Sequence, residues 1–219
     1  MRYNELITEG ITFKQPGDTK KTGPITDPNE ILIYIEDKIF QMDWYRDRPE
    51  RIASLRDEPA YKNAMPLLLK LSKKIGVEKL VAARKALGVY SNTFYGRMNN
   101  SLRAGKLPKN TDLIDLYLEH APKSKANVMY RGLSGEFFKT LTVGQILVDP
   151  AYVSITGDLE VATYFSKKGK KGGVLEIHGV ANRAVKMPRE TDEDEYLLPR
   201  GCSFKIISID GAHAIVELM

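Results

Sequence analysis

The sequence predicts an α+β protein, with a helical N-terminal layer followed by a β core. Two observations carry this reading. Between Asp27 and His120, apolar residues recur at helical spacing between recognisable caps and stops. After Pro122 the texture changes to short apolar runs separated by glycine and charge, the pattern of strands. The expected organisation is a leader and flexible arm over 1–27, a helical region over 28–122 and a β core over 123–219.

The leader runs from Met1 to Gly10, and the arm after it contains Pro16, Gly17, Gly23 and Pro24, with little to bury. Asp27-Pro28-Asn29-Glu30 reads as a helix start: Asp27 caps, Pro28 takes the first helical position and Glu30 completes a capping box. Ile31, Ile35, Ile39 and Met42 then form one stripe, closed by Trp44 and Tyr45, and such a stripe is a core face. Further helices are expected over Glu50 to Arg56 and over Ala60 to Ile75, the latter split or kinked at Pro66. Val77 to Leu87 should stop at Gly88, Ser91 to Arg103 should follow, and Asp112 to His120 should start from the cap Thr111.

The expected strands are Val128 to Arg131, Gln145 to Asp149, Tyr152 to Ser154, Val174 to Val180, Ala184 to Met187, Glu195 to Leu198, Ser203 to Ile209 and Ala214 to Leu218. A helix over Val161 to Ser166 separates the third from the fourth.

Composition narrows the classes of function. A formal net charge of +5 and a pI near 9.1 favour acidic partners such as nucleic acid, or serve solubility alone. No stretch approaches the ~20 apolar residues of a membrane span, and Met1 to Gly10 lacks the apolar core of a secretory signal. The lone Cys202 cannot close an internal disulfide, and beside a strand it reads as a buried apolar residue. His120, His178 and His213 are too scattered for a metal motif, so no metal is expected. No Gly-x-Gly-x-x-Gly fingerprint follows a strand, which argues against a dehydrogenase-type cofactor domain. The segment Gly88 to Lys106, with Ser91, Asn92, Arg97, Asn99, Asn100 and Arg103, has two readings: a helical layer shaping a cleft, or a small DNA-contact module.

Three stretches place polar groups at the ends of apolar runs. Glu190 to Gly201 passes abruptly from an acidic cluster into an apolar strand, and it reads either as a solvated turn or as a paired-carboxylate site. If both residues already lie on the strand, Glu193 and Glu195 share one face and Asp194 points away. Upstream, Val128-Met129-Tyr130-Arg131-Gly132 and Ala151-Tyr152-Val153-Ser154-Ile155-Thr156 have the same character.

Arginine, then Ser-x-Thr, then Glu-x-Glu, in that chain order, resembles the arginine-serine-glutamate, cholera-toxin-like class of mono-ADP-ribosyltransferases. The likeness covers the chain from about Asn127 to the C-terminus and includes the text around Val161-Ala162-Thr163-Tyr164-Phe165 and Val174-Leu175-Glu176-Ile177-His178. It implies a two-sheet NAD-binding core, with NAD as a substrate, and transfer of ADP-ribose to an arginine side chain of a protein. By resemblance, Glu195 is the catalytic glutamate, countering the positive charge that develops on the ribose. Glu193 engages the incoming guanidinium, a carboxylate there going with arginine as acceptor. Arg131 suits the pyrophosphate or nearby ribose, Gly132 bonds the nicotinamide amide, and Ser154 holds Glu195 and touches the ribose, with Thr156 supporting the strand turn. Ile155 departs from the commoner Ser-Thr-Ser pattern and removes the middle hydroxyl. The loop at Lys167-Lys168-Gly169-Lys170-Lys171-Gly172-Gly173 falls where the family has a phosphate-nicotinamide loop, with Phe165 as the stacking aromatic, and reads otherwise as a solvated helix-to-strand turn.

The leader resembles the capsid-targeting peptides of internal head proteins in T-even-like phages, cut after an Ile-x-Glu triplet, here between Glu9 and Gly10. The resemblance therefore implies a chain packaged in a phage head and acting in the host cytoplasm. Its expected partner is a host protein with an exposed arginine, such as RNA polymerase or a ribosome-associated protein, with nucleic acid secondary. The rival readings are a DNA-binding internal head protein without activity, and an NAD glycohydrolase. An intact Glu193 disfavours the second, since water needs no guanidinium clamp.

Overall fold

The computed structural model describes residues 59–168, 172–187 and 194–219, together with Ile31 and Ile35. The leader, its cleavage point and the helix over Glu50 to Arg56 lie outside the described residues, as does the capped helix from Asp27 apart from the helical Ile31 and Ile35.

Helix α1 spans Pro59–Ile75 and passes through Pro66 without a break, contrary to the expected split. A mid-helix proline costs about 3 kcal/mol. Met65, Leu68 and Leu71 are all buried on the inner face, at roughly 1.5–3 kcal/mol each, which outweighs that cost while Pro66 faces solvent. The helix stops at Gly76, whose φ of +85° few other residues adopt readily.

Helix α2 (Val77–Val89) does not end at Gly88. It continues into a five-residue π turn, Tyr90–Phe94, and then into α3 (Tyr95–Arg103). Glycine costs about 1 kcal/mol inside a helix. Ala86, Leu87 and Tyr90, exposed by 3% or less, carry the rod through that position. Helix α4 (Thr111–His120) begins one residue earlier than expected. Its cap position is Asn110, at φ +70°, and the Thr111 hydroxyl instead donates to the Pro108 carbonyl at 2.6 Å.

The strands are β1 (Val128–Leu133), β2 (Ile146–Asp149), β3 (Val153–Thr156), β4 (Gly173–His178), β5 (Val185–Lys186), β6 (Glu195–Leu198), β7 (Cys202–Asp210) and β8 (His213–Leu218). A short helix α5 (Gly135–Phe138) follows β1, and α6 (Leu159–Lys168) joins β3 to β4. The order across the sheet is β2-β7-β8-β4-β1-β3-β6-β5, antiparallel except for the parallel β4–β8 pair.

The expectation of two separate sheets needs correction, because among the described residues the eight strands form one ladder. The ladder is nearly divided at its middle, where β1 meets β3 at the single pair Tyr130↔Thr156 while matching β4 over six. One core cluster joins the two halves face to face: Val153, Ile155 and Leu198 from one pack with Met129, Ile177, Phe204 and Val216 from the other. The chain thus keeps a sandwich-like core while retaining one bridging pair, and among the described residues the β3-facing edge of β1 beyond Tyr130 has no strand partner.

A second cluster ties the helices to the sheet, placing Leu80, Leu87, Tyr90, Ile114 and Leu118 against Ala151, Tyr152, Val185, Met187 and Leu197. Tyr152 is fully buried, and its hydroxyl lies 2.7 Å from Asp115 Oδ1 and 3.0 Å from the Thr111 carbonyl. Asp115 in turn accepts from Arg200 Nε at 2.8 Å. Helical layer and sheet therefore share apolar burial and one polar chain.

Candidate active site

The splayed β1–β3 junction gathers most of the sequence-predicted residues. Alternation along β3 buries Val153 and Ile155 on one side and sends Ser154 and Thr156 to the other. Register sets Ser154 opposite Leu197 and Thr156 opposite Glu195. Arg131, from the open part of β1, reaches across and donates from Nη1 to the Ser154 carbonyl at 2.9 Å.

Thr156 closes the strand. It is buried, and its Oγ1 accepts the Asp158 N–H at 3.0 Å, turning the chain into α6. Asp158 then accepts the Glu160 N–H at 2.7 Å, capping that helix. Glu195 is the first residue of β6 and is half-buried, and its carbonyl accepts the Met187 N–H at 2.9 Å.

Glu193 lies outside the described residues. The strand begins at Glu195, and Asp194 before it has a φ of +41°. That turn directs Asp194 to Lys186, whose Nζ stands 3.0 Å from Oδ1.

Gly132 serves packing. A Cβ there would lie 2.3 Å from the Ala162 carbonyl oxygen and 2.9 Å from the Phe165 Cβ, so the missing side chain is what lets α6 rest on β1. Phe165 stands on this helix, 41% exposed, with its ring 5.6 Å from that of Tyr164 in an edge contact. Lys167 and Lys168 end the helix, and residues 169–171 of the lysine-glycine loop lie outside the described residues.

Three helical residues complete the site: Tyr90, which the sequence did not single out, and Asn99 and Arg103, from the segment read either as a helical layer shaping a cleft or as a DNA-contact module. Tyr90, in the π turn, is 1% exposed. Its hydroxyl accepts from Asn99 Nδ2 at 3.0 Å and hydrogen-bonds the Ser154 side chain, while its ring meets that of Tyr152 edge-on at 5.5 Å. Burial pushes its pKa above the usual tyrosine value, despite the opposing bonds to Asn99 and Ser154, so it stands as a neutral phenol. Arg103 donates from Nε and Nη2 to the two oxygens of Asp149, at 3.0 and 2.8 Å. Asn99 is buried, whereas Arg103 is exposed and engages Asp149 from the rim of the site. Their four-residue spacing on one helix face was the available signal.

Electrostatics bind these groups together. Burial lowers the pKa of the Arg131 guanidinium, Asp149 raises it and Arg103 lowers it again, with smaller raising contributions from Tyr90 and Glu195. An arginine stays charged through such shifts. The site therefore offers a fixed cation, a carboxylate and a hydroxyl-bearing strand beside an open strand edge. Such a set can seat an anionic ligand and stabilise a developing positive charge. Among the described residues no cluster of three or more His, Cys, Asp or Glu could hold a metal ion.

Solved structures of other proteins share this architecture. The ADP-ribosyltransferase Vis of Vibrio splendidus, in complex with the M6 inhibitor, superposes over 90% of this chain and 86% of its own, with a TM-score of 0.51 and 19% identity. Exoenzyme S of Pseudomonas aeruginosa, bound to carba-NAD and human 14-3-3 protein beta, covers 69% of this chain and 86% of its own, with a TM-score of 0.51 and 18% identity. C3stau2 from S. aureus with NAD covers 63% and 86%, with a TM-score of 0.52 and 14% identity. This is the ADP-ribosyltransferase fold.

The sequence is also similar to two bacterial proteins. Exoenzyme T of Pseudomonas aeruginosa and the ADP-ribosyltransferase toxin AexT of Aeromonas salmonicida are each 30% identical over 129 residues, 56% of this chain. The chain spans 28% and 27% of the lengths of these relatives. No family model matches it. On this ADP-ribosyltransferase fold, Arg131, Ser154 and Glu195 meet where the two halves of the sheet splay.

Proposed function

We propose that the chain is an NAD-dependent mono-ADP-ribosyltransferase acting on arginine side chains of proteins. The observation that carries the reading is the meeting of Arg131, Ser154 and Glu195 at the β1–β3 junction of an ADP-ribosyltransferase fold. Relatives and structures of that fold that bear NAD or carba-NAD support NAD as the substrate.

In the proposed reaction the bond between the nicotinamide nitrogen and ribose C1′ breaks, and its electron pair leaves with neutral nicotinamide. Positive charge builds on the ribose, and Glu195 counters it. Arg131 holds the diphosphate by charge-assisted bonds. A guanidino nitrogen of the acceptor forms the new bond to C1′ and gives up one proton to solvent. Glu193, by its sequence position, orients that guanidinium.

The leader extends the proposal to its setting: a phage-head protein, cut after Glu9, that enters the host cytoplasm and modifies host transcription or translation proteins. A chain recovered from particles that begins at Gly10 supports this setting, and one that begins at Met1 removes it.

Labelled NAD incubated with a bacterial lysate, beside Glu195→Gln and Glu193→Gln, tests the activity. Labelled proteins that disappear with Glu195→Gln and lose label in hydroxylamine are the expected result. Nicotinamide release without labelled protein contradicts transfer, and undiminished arginine labelling by Glu193→Gln contradicts the role of that residue.

A further inference from the structure

Arg131 can seat a diphosphate only if no protein carboxylate occupies its donor fork, and the carboxylate that acts on it most strongly is Asp149. Even so, among the described residues no carboxylate lies within ion-pairing distance of Arg131, and its recorded bond is to the uncharged Ser154 carbonyl.

Asp149 is otherwise engaged. Its Oδ1 accepts from Arg103 Nε at 3.0 Å and from the Ala151 N–H at 3.0 Å, and its Oδ2 accepts from Arg103 Nη2 at 2.8 Å. The bidentate fork fixes the carboxylate plane as well as its position. As a stabilising pair it is modest, because Arg103 is 41% and Asp149 23% exposed and solvent screens their attraction. Asp149 ends β2, two residues before the Ala151-Tyr152 segment that leads into the strand of Ser154.

We propose that Arg103 is a positioning residue for substrate binding: by clamping Asp149 from the helical layer, it keeps that carboxylate off Arg131 and leaves the Arg131 fork open to the diphosphate of the substrate. Without Arg103, the Asp149 charge has one backbone donor left and an unpaired guanidinium nearby. The two close on each other, and an incoming diphosphate must then displace an internal ion pair. This inference rests on the NAD-cleaving reading for its physiological ligand, but the diphosphate chemistry can be probed separately.

The experiment measures binding of inorganic pyrophosphate and of NAD by calorimetry, together with nicotinamide release, in the full chain and in Arg103→Gln, Asp149→Asn and the double variant. Arg103→Gln should weaken both ligands about tenfold and raise KM for NAD by the same factor, with kcat within about twofold. The double variant should recover wild-type affinity, because asparagine still accepts the Ala151 N–H and has no charge to offer Arg131. Asp149→Asn alone should bind at least as tightly as wild type.

A purely structural brace predicts the opposite pattern, with the double variant as weak as Arg103→Gln or weaker. That result overturns the inference, as does unchanged affinity in Arg103→Gln or a wild-type chain that does not bind pyrophosphate. A wild type that binds pyrophosphate and never releases nicotinamide overturns the proposed function instead, and the pyrophosphate series still decides the role of Arg103.

Discussion

The helical segment over 59–122 and the β core over 123–219 divide the work of the molecule unequally. The helical segment holds eleven Lys and Arg against four Asp and Glu, the core thirteen against twelve, so a strongly basic layer rests on a nearly neutral one. The core supplies Arg131, Ser154 and Glu195 from β1, β3 and β6. The helices supply Tyr90, Asn99 and Arg103, which bond to core groups of the site or to one another. The difference teaches that the helical layer is a structural wall of the site, while most of its charge faces outward.

Substitutions can break or sharpen this division. The largest effect is expected within the core. Gly132→Val places side-chain atoms against the Ala162 backbone and forces α6 off β1, so thermal unfolding should show a loss of about 3 kcal/mol or more. A melting temperature near wild type would mean that the α6–β1 contact is looser than the structure places it.

Across the boundary, Asn99→Leu removes the donor to the buried Tyr90 hydroxyl. Denaturant titration should register about 1–2 kcal/mol of lost stability. Release of nicotinamide should fall as well if the Tyr90 wall positions Ser154, whereas unchanged release confines Asn99 to stability.

Within the helical layer, Pro66→Ala restores a backbone donor on an exposed face. It should raise stability by about 1 kcal/mol, less than the full proline penalty because the native helix has already adapted. Activity should not change, which separates layer stability from site geometry.

The smallest effect lies on the core surface. Glu176 faces two histidines, with Oε1 2.7 Å from His178 Nε2 and Oε2 3.1 Å from His213 Nε2. The His178 bond, above all, holds its carboxyl below the usual range. A carboxylate with a depressed folded pKa contributes stability above its unfolded pKa of about 4.3 and loses it as pH falls through the lower folded value. Glu176→Gln should therefore be slightly less stable than wild type near neutrality, with the difference vanishing in acid. A difference that grew on acidification would reverse the sign of this linkage.

The two regions also differ in how far they could be read from sequence. Strands announce themselves locally: β6 was expected and observed over the same residues, Glu195 to Leu198, because an acidic cluster gives way to an apolar run at that point. Helix bounds were harder where burial overrode local preference, as at Pro66 and Gly88, each of which reads as a stop in isolation. The four residues of α5 are too few to show any helical period, and they went unforeseen.

In the site, Arg131, Ser154 and Glu195 could be singled out because each is a polar group in a short apolar run and the three follow a recognisable order. Asn99 and Arg103 could be placed only in a helical layer beside a cleft, and Tyr90 not at all, because their partners come from contacts between separate elements. Arg103 and Asp149 are 46 residues apart in sequence, and Tyr152 and Asp115 are 37. Local pattern marks such residues only as helical and polar.

The central claim is that the junction of Arg131, Ser154 and Glu195 cleaves NAD. The most direct measurement is nicotinamide release from NAD by purified protein, compared with Glu195→Gln after both have been matched for melting temperature. The account predicts release by the wild type and a loss of at least about a hundredfold in the variant. Equal release by both, or none from a folded wild type supplied with acceptor protein, contradicts it.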